Sequence, residues 1–304
     1  MNVFEKRELM KTYNELYLST RNTLRQCGVE SYNLEARLLV AQAAGKTPAE
    51  LLRDMSLYTT DAVEARVREY TERRLHGEPV AYVTGFWEFY GLPMVVSPEV
   101  LIPRMDTELL VDTAKSLLTG RKMDARVLDL CCGSGCIACA IAHEMPATRL
   151  VAVDISAGAL EVCRRNVALN RLLSRVICMQ ADATASPPLS MGSFDMIVSN
   201  PPYIESAEIL TLDPSVRDYE PVWALDGGED GLRFYRSILK YWRSLLKPGG
   251  WLLFEVGEGQ AEAVKDMILS AGFASADTRK DTLGVERVVI GRMYDADADI
   301  YTGF

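Results

Sequence analysis

Val127-Leu128-Asp129-Leu130-Cys131-Cys132-Gly133-Ser134-Gly135 decides the fold. Four residues of a buried strand run without a linker into a glycine turn, and the turn runs into a helix. Glycines at such a strand–helix junction let a ligand approach the backbone closely. Outward from it, apolar runs suited to strands recur at 126–130, 149–153, 175–180, 194–199, 251–256 and 286–290. Helical runs lie between them. They include 159–170 and 232–246, and the latter places Leu232, Tyr235, Ile238, Leu239, Trp242 and Leu246 on one side, with Lys247-Pro248-Gly249-Gly250 expected to stop it. Alternation of this kind predicts an α/β protein with a parallel, doubly wound, Rossmann-like sheet.

Ligand-binding groups in such a sheet sit at the carboxyl ends of the strands. Asp154 ends the second strand, where a carboxylate can accept from two ribose hydroxyls. Asp182-Ala183 follows the third, where an acid or its neighbouring backbone can meet an adenine edge. Two cofactors fit the series. Gly133-x-Gly135-x-x-Ala138 also matches a dinucleotide fingerprint, with Asp154 as its acid. The fourth strand separates the two.

That strand, Phe194-Asp195-Met196-Ile197-Val198, leads to Asn200-Pro201-Pro202-Tyr203. As loop punctuation this is a rigid turn. As chemistry it is a grip for a planar NH2 group. The Asn side chain offers a carbonyl acceptor, Pro201 offers a backbone carbonyl, and the Tyr203 ring packs on the flat face. A hydride-transfer enzyme has no use for that grip, and methyl transfer to nitrogen uses it directly.

The chain has 304 residues, 48% hydrophobic and 25% charged, enough for one large or two ordinary domains. Its N-terminal residues lack a signal-peptide core, and no apolar run is long enough to cross a bilayer, so a cytoplasmic protein is expected. Net charge is −9; residues 1–80 are balanced and the remainder carries the excess. No basic stripe suggests bare nucleic acid as an obligate partner. Seven cysteines include a crowd at Cys131, Cys132, Cys136 and Cys139. Without a second Cys-x-x-Cys pair downstream they are read as small buried side chains in a tight corner, and no metal site is assigned. His76 and His143 lie away from the strand-end motifs and receive no role. Residues 1–76 read as all-helical and 80–96, rich in β-branched and aromatic residues with Gly turns, as a hairpin.

The ordered set Asp129-Leu130-x-x-Gly133-x-Gly135, Asp154, Asp182 and Asn200-Pro201-Pro202-Tyr203 is similar to that of S-adenosylmethionine-dependent N-methyltransferases. Further stretches resemble the PrmC/HemK family of release factor glutamine methyltransferases. They are Glu78-Pro79-Val80-Ala81-Tyr82-Val83-Thr84-Gly85, Leu101-Ile102-Pro103-Arg104-x-Asp106-Thr107-Glu108, Gly227-Gly228-x-Asp230-Gly231-Leu232, Phe254-Glu255-Val256-Gly257-x-Gly259-Gln260 and Glu286-Arg287. The resemblance implies a helical release-factor-docking domain at 1–76, a β-hairpin linker at 77–104, a seven-stranded catalytic domain at 105–293 and a tail at 294–304. It implies N5-methylation of the glutamine in the Gly-Gly-Gln motif of class I peptide chain release factors, by a monomer, with S-adenosyl-L-homocysteine as the second product and no metal. Asn200, Pro201 and Tyr203 would be catalytic, with Pro202 joining them in the substrate site. Asp129, Cys131, Cys132, Gly133, Ser134, Gly135, Asp154, Asp182, Ala183 and Asn200 would hold the cofactor. Arg104 and Thr107 are read as a structured linker. One departure stands out: Cys131 and Cys132 occupy places where the family usually opens with glycine, and a Cβ at 131 disfavours positive φ there. Glutamine methylation of a ribosomal protein and adenine N6-methylation of nucleic acid are the rival activities; a non-catalytic binding module on the translation machinery and a nicotinamide dehydrogenase are weaker alternatives.

Overall fold

A computed structural model of the chain describes residues 10–119 and 124–295. It divides into two compact units, Met1–Gly85 with Pro214–Tyr219, and Phe86–Asp213 with Glu220–Phe304.

The first unit is helical: α1 (Tyr13–Gln26), α2 (Tyr32–Ala43), α3 (Pro48–Arg53), α4 (Asp61–Leu75) and α5 (Val80–Thr84). Thr12 and Thr47 close capping boxes with Glu15 and Glu50 and so satisfy orphan amides at the starts of α1 and α3. Tyr13, Leu16, Val40, Ala41, Leu51 and Val67 form its core, and Glu35 makes a two-point ion pair with Arg74 at 2.6 and 3.3 Å. The stretch 80–84, expected as part of a hairpin, is instead the helix α5. Pro79 presets the entry, Gly85 closes the exit at φ 73, and all five residues are buried, so packing overrides their β-propensity. The hairpin is shorter than expected, β1 (Phe86–Phe89) with β2 (Leu92–Val95), and belongs to the second unit.

In the second unit, α6 (Glu108–Leu118) precedes β3 (Arg126–Leu130), α7 (Cys136–Glu144), β4 (Arg149–Asp154), α8 (Ala157–Leu169), β5 (Val176–Gln180) and β6 (Phe194–Ser199). The short helix α9 (Pro214–Arg217) belongs to the first unit. Then come α10 (Arg233–Tyr241), β7 (Leu246–Glu255), α11 (Ala261–Ser270), β8 (Ser275–Lys280) and β9 (Glu286–Arg292). The seven-stranded sheet has the order β5-β4-β3-β6-β7-β9-β8. Successive strands run outward from β3 to β5 on one side and from β6 to β7 on the other, where β9 then inserts between β7 and β8, so the switch point lies between β3 and β6. Strand residues alternate between two cores: Val127, Met196 and Val198 face one, while Leu128, Leu130 and Ile197 face the other with Tyr235, Ile238, Leu239 and Trp242 of the α10 region.

Three details depart from the sequence reading. β9 pairs antiparallel with both neighbours, because the turn at 281–285 is too short for a parallel crossover. β8, whose polar run gives no apolar signal, completes the sheet at its edge. The run 247–250 does not stop a helix. α10 ends at Tyr241, and 247–250 is the bulged start of β7, where Pro248 needs no ladder partner and Gly249 takes φ 69.

Candidate active site

Two turns face each other at the switch point, one after β3 and one after β6. The first is built by backbone. Cys131, Gly133 and Gly135 all take positive φ, at 59, 51 and 75°. Cys131 thus adopts the left-handed conformation that its Cβ disfavours, contrary to the sequence expectation; the next residue anchors the turn, with the Cys132 amide donating to the Val153 carbonyl at 2.9 Å. Gly135 admits no side chain. A Cβ there would lie 2.4 Å from Cys163 Sγ. Asp129, completely buried, accepts the Ala138 amide at 3.1 Å and so caps α7 from beneath the turn. Its second oxygen has no partner, and burial pushes the carboxyl up to about 8.

Asp154 ties the turn to the next strand. Its carboxylate accepts the Gly133 amide at 2.9 Å and the Ser156 amide at 2.9 Å. Burial raises its pKa, with those hydrogen bonds opposing. Each oxygen keeps a further lone pair for a ligand hydroxyl. Asp182 turns one oxygen onto the Thr184 amide and hydroxyl, both at 2.7 Å. The cysteines around the corner are free thiols, and Cys136 and Cys139 are packed in the core with Ile137 and Ile141. Burial pushes Cys139 up to about 12, so these thiols are poor nucleophiles.

A cleft of about 320 Å³ joins the turns. Cys131, Cys132, Gly133, Ser134, Asp154, Asp182, Ala183, Asn200 and Pro202 line it. Asp129, Gly135, Pro201 and Tyr203 do not; Asp129 and Gly135 shape the turn from behind. Ile155, Trp223 and Phe234, to which the sequence assigns no role, add apolar and aromatic wall, and Arg104 and Thr107 line the cleft instead of serving only as linker. Ile155 is 57% exposed, an unusual state for isoleucine directly after a strand-end acid. Only the apolar residue directly after the strand-end acid is legible in the sequence; Trp223 lies in a single 3-10 turn, Val222–Ala224, too short to carry a period.

The second turn is held by side chains. Asn200 Nδ2 donates to Thr107 Oγ1 at 3.2 Å. The Tyr203 carbonyl accepts Gln260 Nε2 at 2.9 Å, and across the adjoining bridge the Ile204 amide donates to the Leu225 carbonyl at 3.0 Å while the Gly227 amide donates to the Ile204 carbonyl at 2.8 Å. Gly231 packs against this segment so tightly that a Cβ would sit 2.3 Å from the Tyr203 carbonyl oxygen. Burial pushes the Tyr203 hydroxyl up to about 12. Three stretches singled out in the sequence thus converge on residues 200–203, through Thr107, Gly231 and Gln260, while Arg287 of a fourth pairs with Asp281 at 3.2 Å and Asp106 at 3.7 Å and reaches Tyr203 only through its charge.

Among the described residues no helix is long and apolar enough to cross a membrane, and no group of three or more His, Cys, Asp and Glu is placed to hold a metal. Residues 15–85 match the PrmC N-terminal domain and residues 104–212 the methyltransferase small domain. The hMettl16 catalytic domain has a similar fold, with a TM-score of 0.56 at 16% identity over 78% of this chain and 84% of that one. The release factor glutamine methyltransferase of Geobacter sulfurreducens is 43% identical over 90% of this chain and 94% of its own length. That of Bradyrhizobium diazoefficiens is 38% identical over 88% and 91%. With both domain models matched and such identity over nearly full lengths, this chain belongs to the release factor glutamine methyltransferase family.

Proposed function

We propose that the chain moves a methyl group from S-adenosylmethionine to the side-chain nitrogen of the glutamine in the Gly-Gly-Gln motif of a class I peptide chain release factor. The observation that carries this reading is the pairing of the two turns across one cleft, a backbone-lined pocket at residues 131–135 and an amide grip at Asn200.

The cleft suits the cofactor. The turn at 131–135 offers bare backbone to an amino-acid moiety, Asp154 has acceptor capacity for ribose hydroxyls, and Ile155 with Phe234 offers apolar surface to a base. Bound there, S-adenosylmethionine supplies an electrophilic methyl group.

The residues of the chain do the rest. A carboxamide nitrogen is a weak nucleophile because its lone pair is delocalised into the carbonyl. Asn200 Oδ1 and the Pro201 carbonyl accept its two N–H bonds, fix its plane, and stabilise the positive charge that develops on nitrogen. Holding the nitrogen in line supplies the other part of the acceleration. Tyr203 is assigned the packing role beside the substrate amide, from a position next to the cleft lining rather than in it. No strong base acts before attack, since the proton leaves afterward. The helical unit up to Gly85 is assigned to docking of the release factor, on its match to the PrmC N-terminal domain. The protein is taken to work as a cytoplasmic monomer without metal.

Transfer of labelled methyl from S-adenosylmethionine to a purified release factor tests the reading, with ribosomal proteins and nucleic acid as competing acceptors. Label is expected in the release factor, and lost when its motif glutamine is replaced by alanine. Label in a ribosomal protein or in nucleic acid instead would favour one of the rival activities.

A further inference from the structure

Asn200 can work as a grip only in one of two orientations. Its oxygen and nitrogen are nearly the same size, so the amide's sense is set by its neighbours. In the structure the nitrogen donates to Thr107 Oγ1 at 3.2 Å, which leaves Oδ1 for a substrate N–H. Thr107 is 2% exposed, so its own hydroxyl proton has no bulk water to turn to.

Glu255 is the acceptor at hand, since hydrogen bonding from the Thr107 hydroxyl favours its ionised carboxyl. It ends β7, the strand beside β6, and the register Ser199↔Phe254 makes it the neighbour of Asn200. Glu255 is 2% exposed and its Oε2 has no hydrogen-bond partner. An acid buried in this state is costly, and an apolar residue of similar volume would spare that cost. Burial pushes its carboxyl up to about 7, while the Thr107 hydroxyl, the Arg287 guanidinium and the Asn200 amide work in the opposite direction. Asp106 from the turn before α6 adds repulsion, and the Tyr203 and Tyr235 phenols complete its ionisable surroundings.

We propose that Glu255 and Thr107 are positioning residues that lock the Asn200 amide with its oxygen toward the substrate. An ionised carboxylate can only accept, so the chain of hydrogen bonds has one direction. The Thr107 hydroxyl donates to Glu255, Thr107 Oγ1 accepts from Asn200 Nδ2, and Oδ1 is left facing the cleft. Protonated, Glu255 can itself donate to Thr107. The hydroxyl is then released to donate to the other end of the amide, and a flipped Asn200 would present NH2 to the substrate's NH2.

This inference rests on the glutamine methyltransferase reading. The test uses the full chain, S-adenosylmethionine and a purified release factor. The variants are Thr107→Val, Thr107→Ser, Glu255→Gln and Glu255→Leu, each with its melting temperature and cofactor affinity measured. Thr107→Val keeps the shape and removes the hydroxyl. It is expected to lower kcat about 10-fold or more while KM for the release factor stays within about 3-fold, as for loss of a transition-state contact. Thr107→Ser should restore most of that loss. Glu255→Leu should resemble Thr107→Val. Glu255→Gln keeps an acceptor, so it should retain activity at neutral pH, and the acidic limb of the wild-type profile, centred near 7, should be gone. A Thr107→Val variant with kcat within about 2-fold of wild type, or a Glu255→Gln variant with the acidic limb intact, overturns the inference alone. Absence of methyl transfer by the wild-type chain overturns the functional reading and this inference with it.

Discussion

The turn after β3 and the turn after β6 face one cleft but are made of different materials. The first is backbone: three left-handed residues within five, one of them cysteine, with Asp129 and Asp154 fastening the amides. The second is side chain: two prolines stiffen it, and Thr107, Gln260 and the glycines at 227 and 231 hold it from outside. A backbone device tolerates a changed side chain where that side chain points away, and fails where a Cβ meets a wall. A side-chain device fails when one functional group is lost, even if the shape survives. The two turns should therefore break in different ways.

Asn200→Ala should show the largest effect and on chemistry alone. Turnover is expected to fall on the order of 10²-fold or more, with S-adenosylmethionine affinity within a few-fold of wild type by calorimetry. Near-normal turnover would remove the grip from the mechanism. Gly135→Ala should break the first turn structurally. The new Cβ meets Cys163 Sγ at 2.4 Å in a left-handed backbone, so urea denaturation should show a loss of about 2–4 kcal/mol, accompanied by weaker cofactor binding. Adding Cys163→Ala should recover the steric part and leave roughly 1–2 kcal/mol of backbone cost. Full additivity of the two changes would show that the contact is not the cause.

The third prediction concerns the buried acid beneath the second turn. Its folded pKa is raised to about 7, so the stability it contributes is present at low pH and is lost as pH rises through that value. The uncharged Glu255→Gln variant should gain on wild type by roughly 1–3 kcal/mol near pH 8 and by almost nothing near pH 4. Thermal melts across pH check this, and a constant difference would deny the acid its ionisation. The smallest effect is expected at Cys131→Gly. Relief of the left-handed cysteine and the greater freedom of glycine in the unfolded chain oppose each other, so stability should change by less than about 1 kcal/mol. Cofactor affinity should hold; a large loss would mean that the thiol, and not the backbone, makes that part of the pocket.

The same division explains what could be read from the sequence. Strand–turn–helix alternation made the doubly wound sheet legible, because apolar strands and an amphipathic run such as 232–246 carry their own period. β8 gave no such signal, since an edge strand of polar residues has no buried face to advertise. α5 is illegible as a helix because valine, tyrosine and threonine favour strands until burial decides otherwise. In the site, acids and glycines at strand ends were visible one by one. The contacts of Thr107 with Asn200 and of Gln260 with Tyr203 were not, because they join residues 93 and 57 positions apart. Resemblance flagged those stretches, and the fold supplies the physical reason: they brace a turn that chemistry alone does not hold rigid.

Fragmentation mass spectrometry of a release factor treated with the chain and S-adenosylmethionine tests the central claim most directly. The account predicts one added methyl on the glutamine of the Gly-Gly-Gln peptide, located on its side-chain nitrogen. A methyl on any other residue of that factor, or an unmodified motif glutamine after complete reaction elsewhere, would contradict it.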